Sequence, residues 1–215
     1  PLTAISGNAS NLLSNGKLFD AQTKEQMYTD IYDDAMWLIN LVENLLSVSR
    51  LEEGRMNLHM STELMDEVIA EALRHINRKS ADYHLIVREP DEYILVQIDV
   101  RLIVQVLINI IDNAIKYTPV GSDIRIEWKK QGDFVLVSIA DNGPGISAEA
   151  KPHIFEMFYS ASAKIADSRR SMGLGLALCK SIVNAHGGEI SVADQIPHGT
   201  IFTFSIPSGE VELHE

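Results

Sequence analysis

The chain has 215 residues, a formal net charge of −12 at pH 7 and a hydrophobic content of 46%. That hydrophobic content excludes a wholly disordered chain, and the length fits one large domain or two small ones. The acidic balance argues against a general nucleic-acid surface, because phosphate backbones are bound by clustered Lys and Arg. No apolar run reaches the roughly 18 to 20 residues that a membrane-spanning helix needs. The lone Cys179 cannot form an internal disulfide and is typical of a reducing compartment.

Residues 1–54 predict an antiparallel helical hairpin. Apolar residues recur at helical spacing over residues 1–14, and a loop follows. We expect a second helix to open at a capping box formed by Thr23 and Gln26 and to end at Gly54. Its apolar side predicts a coiled-coil-like seam made of Tyr28, Ile31, Ala35, Leu38, Val42, Leu45 and Ser49. Two helices have too little core to stand alone, so we expect two copies to form a four-helix bundle. The alternative is a hairpin packed only on its own following domain.

The rest of the chain predicts a linker over residues 55–61, a second domain over residues 62–208 and a tail over residues 209–215. Helical spacing predicts helices over residues 62–79, 100–117 and 177–185. Alternation predicts strands over residues 84–88, 93–98, 124–128, 135–139, 188–193 and 200–206, with a hairpin turn at Gly132 and Asp133. This mixed order favours an α+β fold, a two-layer α/β sandwich with helices on one face of a mixed, mostly antiparallel sheet.

The predicted helix over residues 100–117 carries a polar stripe, because residues three, four and seven apart share one face. Two amides, a carboxylate and an ammonium there could hold a magnesium ion, orient a water or hydroxyl, and meet phosphate. The alternative is an ordinary solvated face. The stripe consists of Asn109, Asp112, Asn113 and Lys116.

Two glycine-rich turns follow the polar stripe. Asp141 leaves a predicted strand just before Gly143 and Gly145, where glycines let the backbone approach a flat ligand and the carboxylate can accept from an exocyclic amine. Gly173 and Gly175 precede a predicted helix, whose first amides can face phosphate. Taken alone, either sequence could also be an ordinary tight turn that binds no ligand.

In this order the motifs resemble the N, G1, F and G2 boxes and the last glycine turn of the catalytic domain of sensor histidine kinases. They lie at residues 109–117, 141–145, 155–158, 173–176 and 199–202. The start, Pro1-Leu2-Thr3, resembles the residues that follow the acceptor-histidine motif of that family. The resemblance covers essentially the whole chain and is strongest to potassium-responsive sensor kinases of the KdpD type.

The resemblance implies the Bergerat, or GHKL, ATP-binding fold and the cofactors ATP and Mg²⁺. Asp141 would bind the adenine amine and select ATP over GTP. Asn113, with Asn109, would carry the magnesium, and Asp112 would accept or steer the proton of an attacking imidazole. Lys116, also assigned to catalysis, and Tyr117 would line the phosphate and ribose region. The other implied ATP-binding residues are Gly143, Gly145, Ile146, Gly173, Leu174, Gly175, Leu176 and Thr200.

A small, polar and basic run over residues 159–172 predicts a mobile lid over the nucleotide. Arg169 or Arg170 could reach the terminal phosphates, although either could equally belong to a solvated loop. We interpret Phe155 and Phe158 as structural anchors of this loop. His186 precedes two glycines, which predicts a helix C-terminal cap rather than a phosphoryl acceptor.

The chain begins with Pro1, so we expect a fragment cut from a longer protein, with the acceptor histidine five residues upstream. The resemblance implies a protein histidine kinase that works as a homodimer and passes phosphate to a response regulator, with no nucleic acid. The regulator would dock near Leu12 and residues 40–47. We expect the cytoplasmic portion of a membrane-anchored bacterial sensor kinase, anchored only by segments outside this sequence. The alternatives are an ATP-hydrolysing clamp of the gyrase, Hsp90 or mismatch-repair type and a non-catalytic dimer that senses nucleotide.

Overall fold

Five helices and seven strands make up the part of the chain that the structure, a computed structural model, describes: residues 1–52, 57–76, 82–159 and 173–210. The helices are α1 (Leu2–Asn15), α2 (Ala21–Glu52), α3 (Met65–Ile76), α4 (Val100–Tyr117) and α5 (Gly175–Ala185). The strands are β1 (Ser61–Leu64), β2 (His84–Arg88), β3 (Leu95–Ile98), β4 (Asp123–Gln131), β5 (Phe134–Asp141), β6 (Ile190–Asp194) and β7 (Thr200–Pro207). Of the helices described, none is long and apolar enough to cross a membrane.

The main sheet has five strands in the order β2-β4-β5-β7-β6. β2 runs parallel to β4, and the other neighbours are antiparallel. β4 and β5 form the predicted hairpin, in which Trp128 faces Val137, and Gly132 makes the turn with φ +62°. A smaller sheet pairs β1 with β3. The prediction of an α+β fold with a mixed, mostly antiparallel sheet is confirmed.

The core lies between the main sheet and the helices α4 and α5, which contact its central strands on one face. Alternate residues of β4 and β5 point into this layer and are buried, as the sequence alternation predicts. α3 packs against α4 and closes the side of the core. The largest fully buried side chains in this layer include Phe204, Ile103, Leu107, Ile110, Ile111, Ile124, Ile126, Ile139 and Leu178.

The start of the helix predicted over residues 62–79 is wrong, because Ser61–Leu64 forms a strand. β1 pairs antiparallel with β3, so that its backbone groups bond across the ladder instead of along a helix. The Thr62 hydroxyl donates to Gln97 Oε1 at 2.6 Å, and α3 begins only at Met65, whose amide donates to the Ile94 carbonyl at 2.9 Å. The predicted end of this helix at Lys79 lies outside the described residues.

The capping box predicted for the second helix is also wrong. α2 begins at Ala21, two residues before Thr23, and Asp20 caps it: Asp20 Oδ1 accepts from the Thr23 amide at 2.6 Å. This bond from the Thr23 backbone holds the pKa of Asp20 below its ordinary value. Gln26 donates to Asp30 along the helix instead of reaching back to its start. The predicted helix end at Gly54 lies outside the described residues.

The residues of the seam predicted along α2 differ in how far they are buried. Ile31, Ala35 and Leu38 are half-buried, whereas Tyr28, Val42, Leu45 and Ser49 are exposed. α2 packs against α1 and also against α5, and Gln105 on α4 donates to Asn44 on α2 at 3.4 Å. An apolar row, here called the outer stripe, remains exposed on α2: Tyr28, Tyr32, Met36, Ile39, Val42 and Leu46.

Candidate nucleotide-binding site

Asp141 lies at the end of β5 with only 8% of its surface exposed. Its Oδ1 accepts from the Gly143 amide at 2.9 Å and from the Thr200 amide at 3.2 Å. Burial raises the pKa of Asp141 above its ordinary value, and the two backbone donors oppose that shift. Because Oδ1 is held by these donors, the carboxylate has a fixed orientation, and Oδ2 can accept a hydrogen bond from a ligand amine.

Two glycines let the neighbouring turns close around Asp141. A Cβ on Gly143 would lie 2.5 Å from the Thr118 side chain. A Cβ on Gly199, which has φ +120°, would lie 1.9 Å from the Asp141 carbonyl oxygen. Any side chain at either position would therefore push the Asp141 turn away from α4 or from the start of β7.

A cleft of about 560 Å³ lies between the end of α4 and the turn after β5. The Lys116 ammonium sits 5.3 Å from the centre of the Tyr117 ring, close enough for a cation–π contact. The structure thus brings together Lys116, Tyr117 and Gly143, which come from two separate sequence motifs. The cleft is lined by Lys116, Tyr117, Thr118, Pro119, Asn142, Gly143, Pro144 and His198.

The polar stripe of α4 faces the beginning of α5. Asn109, Asp112 and Asn113 are half-buried, and Lys116 is exposed. A Cβ on Gly175, the first residue of α5, would lie 3.8 Å from Asn109 Oδ1, so the N and G2 motifs meet at this point. Three of the four side chains of the stripe are thus partly covered, which favours a binding site over a wholly solvated face.

The donor set of this stripe suits magnesium held together with a ligand's phosphates. Among the described residues, no group of three or more His, Cys, Asp or Glu is placed to hold a metal ion. Mg²⁺ takes oxygen ligands and is commonly bound by one or two protein groups plus substrate phosphates. The amide oxygens of Asn109 and Asn113 fit that mode. The Nδ2 of Asn109 is buried and makes no regular hydrogen bond within the described part of the chain.

The residues on either side of the predicted lid are held together. The Phe158 amide donates to the Gly173 carbonyl at 3.1 Å, and both residues have positive φ, +65° and +63°. A Cβ on Gly173 would lie 2.1 Å from the Tyr159 carbonyl oxygen, so this approach requires glycine. The lid itself, with Arg169 and Arg170, lies outside the described residues.

The two predicted phenylalanine anchors behave differently. The Phe155 ring meets Phe202 edge-on, with ring centres 6.3 Å apart, and packs on the core as predicted. The Phe158 ring is 62% exposed, so the prediction of a packed anchor is wrong for its side chain. Tyr159 packs there instead, with its ring 5.5 Å from that of His153. Phe158 holds the segment through its backbone.

The remaining site residues predicted from the glycine motifs belong to the same region. Leu174 is buried at the N-terminal end of α5, and Leu176 packs against the core. Ile146 also packs against the core, after Gly145, which has φ +78°. Thr200 is buried beside Asp141. Leu174, Leu176 and Ile146 therefore support the turns from beneath.

Sequence reasoning missed a buried connection between α4 and α5. His186 caps α5, as predicted, and its Nδ1 donates to the Ile182 carbonyl at 2.8 Å. Its Nε2 accepts from the Asp99 amide at 3.0 Å, and these two contacts assign the neutral Nδ1–H tautomer. Asp99 caps α4 and also accepts from the His59 amide at 3.0 Å. An Asp just before an apolar helix was the available signal for this cap.

A second missed residue is His198, for which the sequence offers no signal. It lies in the turn between β6 and β7, and its Nδ1 donates to the Gly143 carbonyl at 3.3 Å. Asn142 closes the same turn from the other side, since its Oδ1 accepts from the Asp123 amide at 3.0 Å. The turn after Asp141 is therefore tied to two neighbouring loops.

Residues 98–210 match the family described as histidine kinase-, DNA gyrase B-, and HSP90-like ATPase. The sensor protein KdpD of Clostridium acetobutylicum is 44% identical over 207 residues, which are 96% of this chain and 23% of that protein. The chain therefore spans less than a quarter of the length of that relative.

Solved structures show the same likeness over nearly the whole chain. The Acinetobacter baumannii histidine kinase AdeS superposes with a TM-score of 0.79 at 25% identity, covering 98% of this chain and 96% of that one. The histidine kinase ThkA, solved in complex with the response regulator protein TrrA, gives a TM-score of 0.76 at 27% identity, covering 97% of this chain and 58% of that one. The chain belongs to the histidine kinase-, DNA gyrase B- and HSP90-like ATPase family, in its sensor histidine kinase branch, and is similar to KdpD.

Proposed function

We propose that this chain is the catalytic region of a sensor histidine kinase. It would bind Mg²⁺-ATP and transfer the γ-phosphate to a histidine of the dimerisation domain, from which the phosphate passes to an aspartate of a response regulator. The observation that carries the proposal is the buried Asp141, whose Oδ1 is fixed by two backbone amides beside a cleft lined by Lys116 and Tyr117. This oriented carboxylate reads a nucleobase edge, and the cleft leaves room for the rest of the nucleotide.

Asp141 gives the site its base preference. Its Oδ2 accepts from the exocyclic amine of adenine, whereas guanine places a carbonyl oxygen at the same position. Two acceptors facing each other across a buried contact repel and leave both unpaired, which costs about 1–3 kcal/mol or more. The site is therefore expected to take ATP and reject GTP.

The polar stripe of α4 would bind the phosphate groups of the nucleotide. Asn109 and Asn113 would hold Mg²⁺ through their amide oxygens, and the bound ion neutralises negative charge on the phosphates. Lys116 contributes a further positive charge at the rim of the site. Gly173 and Gly175 leave the backbone amides at the start of α5 open to the phosphate oxygens.

The transfer itself is an in-line displacement. A nitrogen of the acceptor imidazole attacks the γ-phosphorus as the bond to the β,γ-bridging oxygen breaks, and ADP leaves with that electron pair. Asp112 accepts or steers the proton of the attacking imidazole. Arg169 or Arg170, in the predicted lid, would offset charge on the transferring group, and most of the rate comes from positioning and charge neutralisation.

The helical hairpin would provide the surfaces to which the partner proteins bind. The outer stripe of α2 offers an apolar surface of the kind that a second copy covers in a four-helix bundle. The complex of ThkA with TrrA supports a response regulator as the second partner. We place its docking surface near Leu12 and residues 40–47. Segments outside this sequence would anchor the protein to a membrane and leave this region in the cytoplasm.

Label transfer from γ-labelled ATP tests the proposal. The protein is extended upstream through the expected acceptor histidine and compared with its Asn113→Ala and Asp141→Asn variants. Acid-labile, alkali-stable label on the wild-type protein, absent from both variants, is the expected result. ADP release without labelled protein would indicate a clamp-type ATPase instead. ATP binding with neither label nor ADP release would indicate a nucleotide-sensing module.

A further inference from the structure

Helix α5 lies antiparallel along α4, since its start meets the second half of α4 and its end meets the beginning of α4. At the start, a Cβ on Gly175 would lie 3.8 Å from Asn109 Oδ1. At the other end, His186 Nε2 accepts from the Asp99 amide at 3.0 Å. At a helical rise of about 1.5 Å per residue, Gly175 and His186 are about 16 Å apart. The alignment of the two helices therefore decides where the first amides of α5 lie over the polar stripe.

The contact of His186 with Asp99 is a sharper restraint on this alignment than the apolar packing around it. Leu178, Ile182 and Val183 of α5 are 0% exposed and belong to the core that α5 shares with α4. Their burial is favourable but has no preferred direction. A hydrogen bond, by contrast, weakens steeply when its distance or angle changes.

Both groups of this contact are oriented by further hydrogen bonds. Asp99 is the N-cap residue of α4, and its carboxylate accepts from the Leu102 amide at 3.5 Å and from the His59 amide at 3.0 Å. The His186 ring donates from Nδ1 to the Ile182 carbonyl at 2.8 Å. Asp99 and His186 are each only 3% exposed. The contact thus joins the end of α5 to the beginning of α4 through two fixed groups.

The start of α5 lacks a cap of this kind. Its N-cap residue is Leu174, and no side-chain cap hydrogen bond is made there within the described part of the chain. An uncapped start leaves amides open to a ligand, which suits phosphate binding. The same openness means that the position of these amides depends on how the far end of the helix is held.

We propose that His186 is a positioning residue, whose hydrogen bond to Asp99 sets the alignment of α5 on α4 and so places the amides at Gly175 for the phosphates of a nucleotide. The inference rests on the proposed function, which assigns phosphate binding to the start of α5. Without an acceptor at residue 186, the buried Asp99 amide is unpaired until the helix ends move to admit water or another acceptor. That movement displaces the amides at Gly175 and weakens phosphate binding, while Asp141 still binds adenine.

Two substitutions separate this contact from the cap of α5. His186→Asn keeps a donor in the place of Nδ1, within reach of the Ile182 carbonyl, but has no acceptor in the place of Nε2. His186→Gln has the opposite set, since its longer side chain brings an amide oxygen to the place of Nε2 and leaves no donor in the place of Nδ1. Each variant loses one hydrogen bond of the ring, so urea unfolding should show similar losses of stability. Only the Asn variant loses the contact between the helices.

Titration of the wild type and both variants with ATP and with adenosine, in the presence of Mg²⁺ and followed by NMR, tests the proposal. The affinity for ATP is expected to fall about threefold to tenfold in the Asn variant and to stay within about twofold of the wild type in the Gln variant. Adenosine, which has no phosphates, should bind all three proteins equally. An equal loss of ATP affinity in both variants, or an equal loss for ATP and adenosine in the Asn variant, would overturn the inference.

A second readout needs no nucleotide. In the free protein, the NMR chemical shifts of Asn109 and Gly175 are expected to change in the Asn variant and to keep their wild-type values in the Gln variant. Unchanged shifts in both variants would contradict the inference. If the shifts follow the expected pattern while the wild type binds ATP no more tightly than adenosine, the phosphate site of the proposed function fails, and the positioning of α5 by His186 stands.

The wild-type protein alone also tests the contact. An N–H···N hydrogen bond gives a scalar coupling between its two nitrogens, so NMR should detect such a coupling between the Asp99 amide and His186 Nε2. Its absence would overturn the inference even if the Asn variant does not fold.

Discussion

The helical hairpin and the catalytic domain bury their apolar residues to very different degrees. Ile110 and Phe204, in the domain, are 0% exposed, whereas Leu13 on α1 is 88% exposed. Of the side chains described over residues 1–49, none is fully buried. The domain has its own hydrophobic core between the sheet and the helices, whereas the hairpin leaves much of its apolar surface exposed to solvent. One chain thus combines a domain with a buried core and a hairpin whose apolar side chains remain largely exposed.

The largest expected effect compares one apolar substitution in each part. Ile110→Ala removes a fully buried side chain and should lower the free energy of unfolding by about 2–5 kcal/mol. Leu13→Ala, on the exposed side of α1, should change it by less than about 0.5 kcal/mol. Urea unfolding followed by circular dichroism gives both values. Comparable losses in the two variants would mean that the hairpin has a packed core of its own.

Glycine substitutions at two turns sharpen the comparison within the domain. Gly199→Ala places a Cβ 1.9 Å from the Asp141 carbonyl oxygen at φ +120°, so it should cost about 2–3 kcal/mol and weaken ATP binding. At Gly132, φ is +62° and a Cβ would meet nothing within 4 Å. Gly132→Ala should therefore lower the free energy of unfolding only through the strain of a left-handed backbone, by about 1–2 kcal/mol, and leave ATP binding intact. Thermal unfolding with and without ATP separates the two effects. Unimpaired binding in Gly199→Ala would contradict the packing of β7 against the site.

The outer stripe of α2 is the surface that we expect to form the dimer interface. Met36→Glu combined with Ile39→Glu puts two charges on the face that a second copy would cover, and should weaken a dimer at least about tenfold. Gln22→Glu, exposed at the start of α2, is the control and should leave the association constant unchanged. Sedimentation equilibrium over a range of concentrations gives the constants. A wild-type protein that stays monomeric throughout would contradict dimerisation by these residues.

The smallest expected effect is a gain in stability. Burial raises the pKa of Asp141, so the ionised carboxylate destabilises the folded domain at neutral pH. Asp141→Asn keeps an oxygen for the Gly143 and Thr200 amides and removes that charge, so the variant should be the more stable of the two at pH 7. The difference should shrink as pH falls through the raised pKa, because protonation then removes the same charge from the wild type. Urea midpoints at pH 7 and at about pH 4 test this sign.

Sequence patterns predicted the features that repeat locally. The alternation in β4 and β5, the turn at Gly132 and the apolar face of α4 each depend on neighbouring residues. β1 was missed because Ser61–Leu64 is a strand only through its partner β3, which lies more than thirty residues along the chain. The cap of α2 was misplaced because Asp20 and Thr23 both have suitable side chains, and only the backbone shows which one accepts.

The features of the candidate site also fall into two groups, those that a local motif predicts and those that depend on contacts between distant residues. Asp141, Gly143 and Gly199 belong to short motifs, so their residue types and their order along the chain were enough to predict them as candidates. The contacts of His186 with Asp99 and of Cys179 with Val106 join residues more than seventy positions apart, and no local pattern encodes them. The half-buried setting of Asn109 likewise follows from the packing of α5 on α4.

Nucleotide selectivity tests the central claim most directly, since it depends on Asp141 as the reader of the base. ATP and GTP compete with a fluorescent adenine nucleotide for the wild-type protein and for Asp141→Asn, in the presence of Mg²⁺. We expect ATP to displace the probe from the wild type and GTP to do so at least about tenfold less well, with little probe binding by the variant. Equal displacement by ATP and GTP, or unchanged probe binding in Asp141→Asn, would contradict the account.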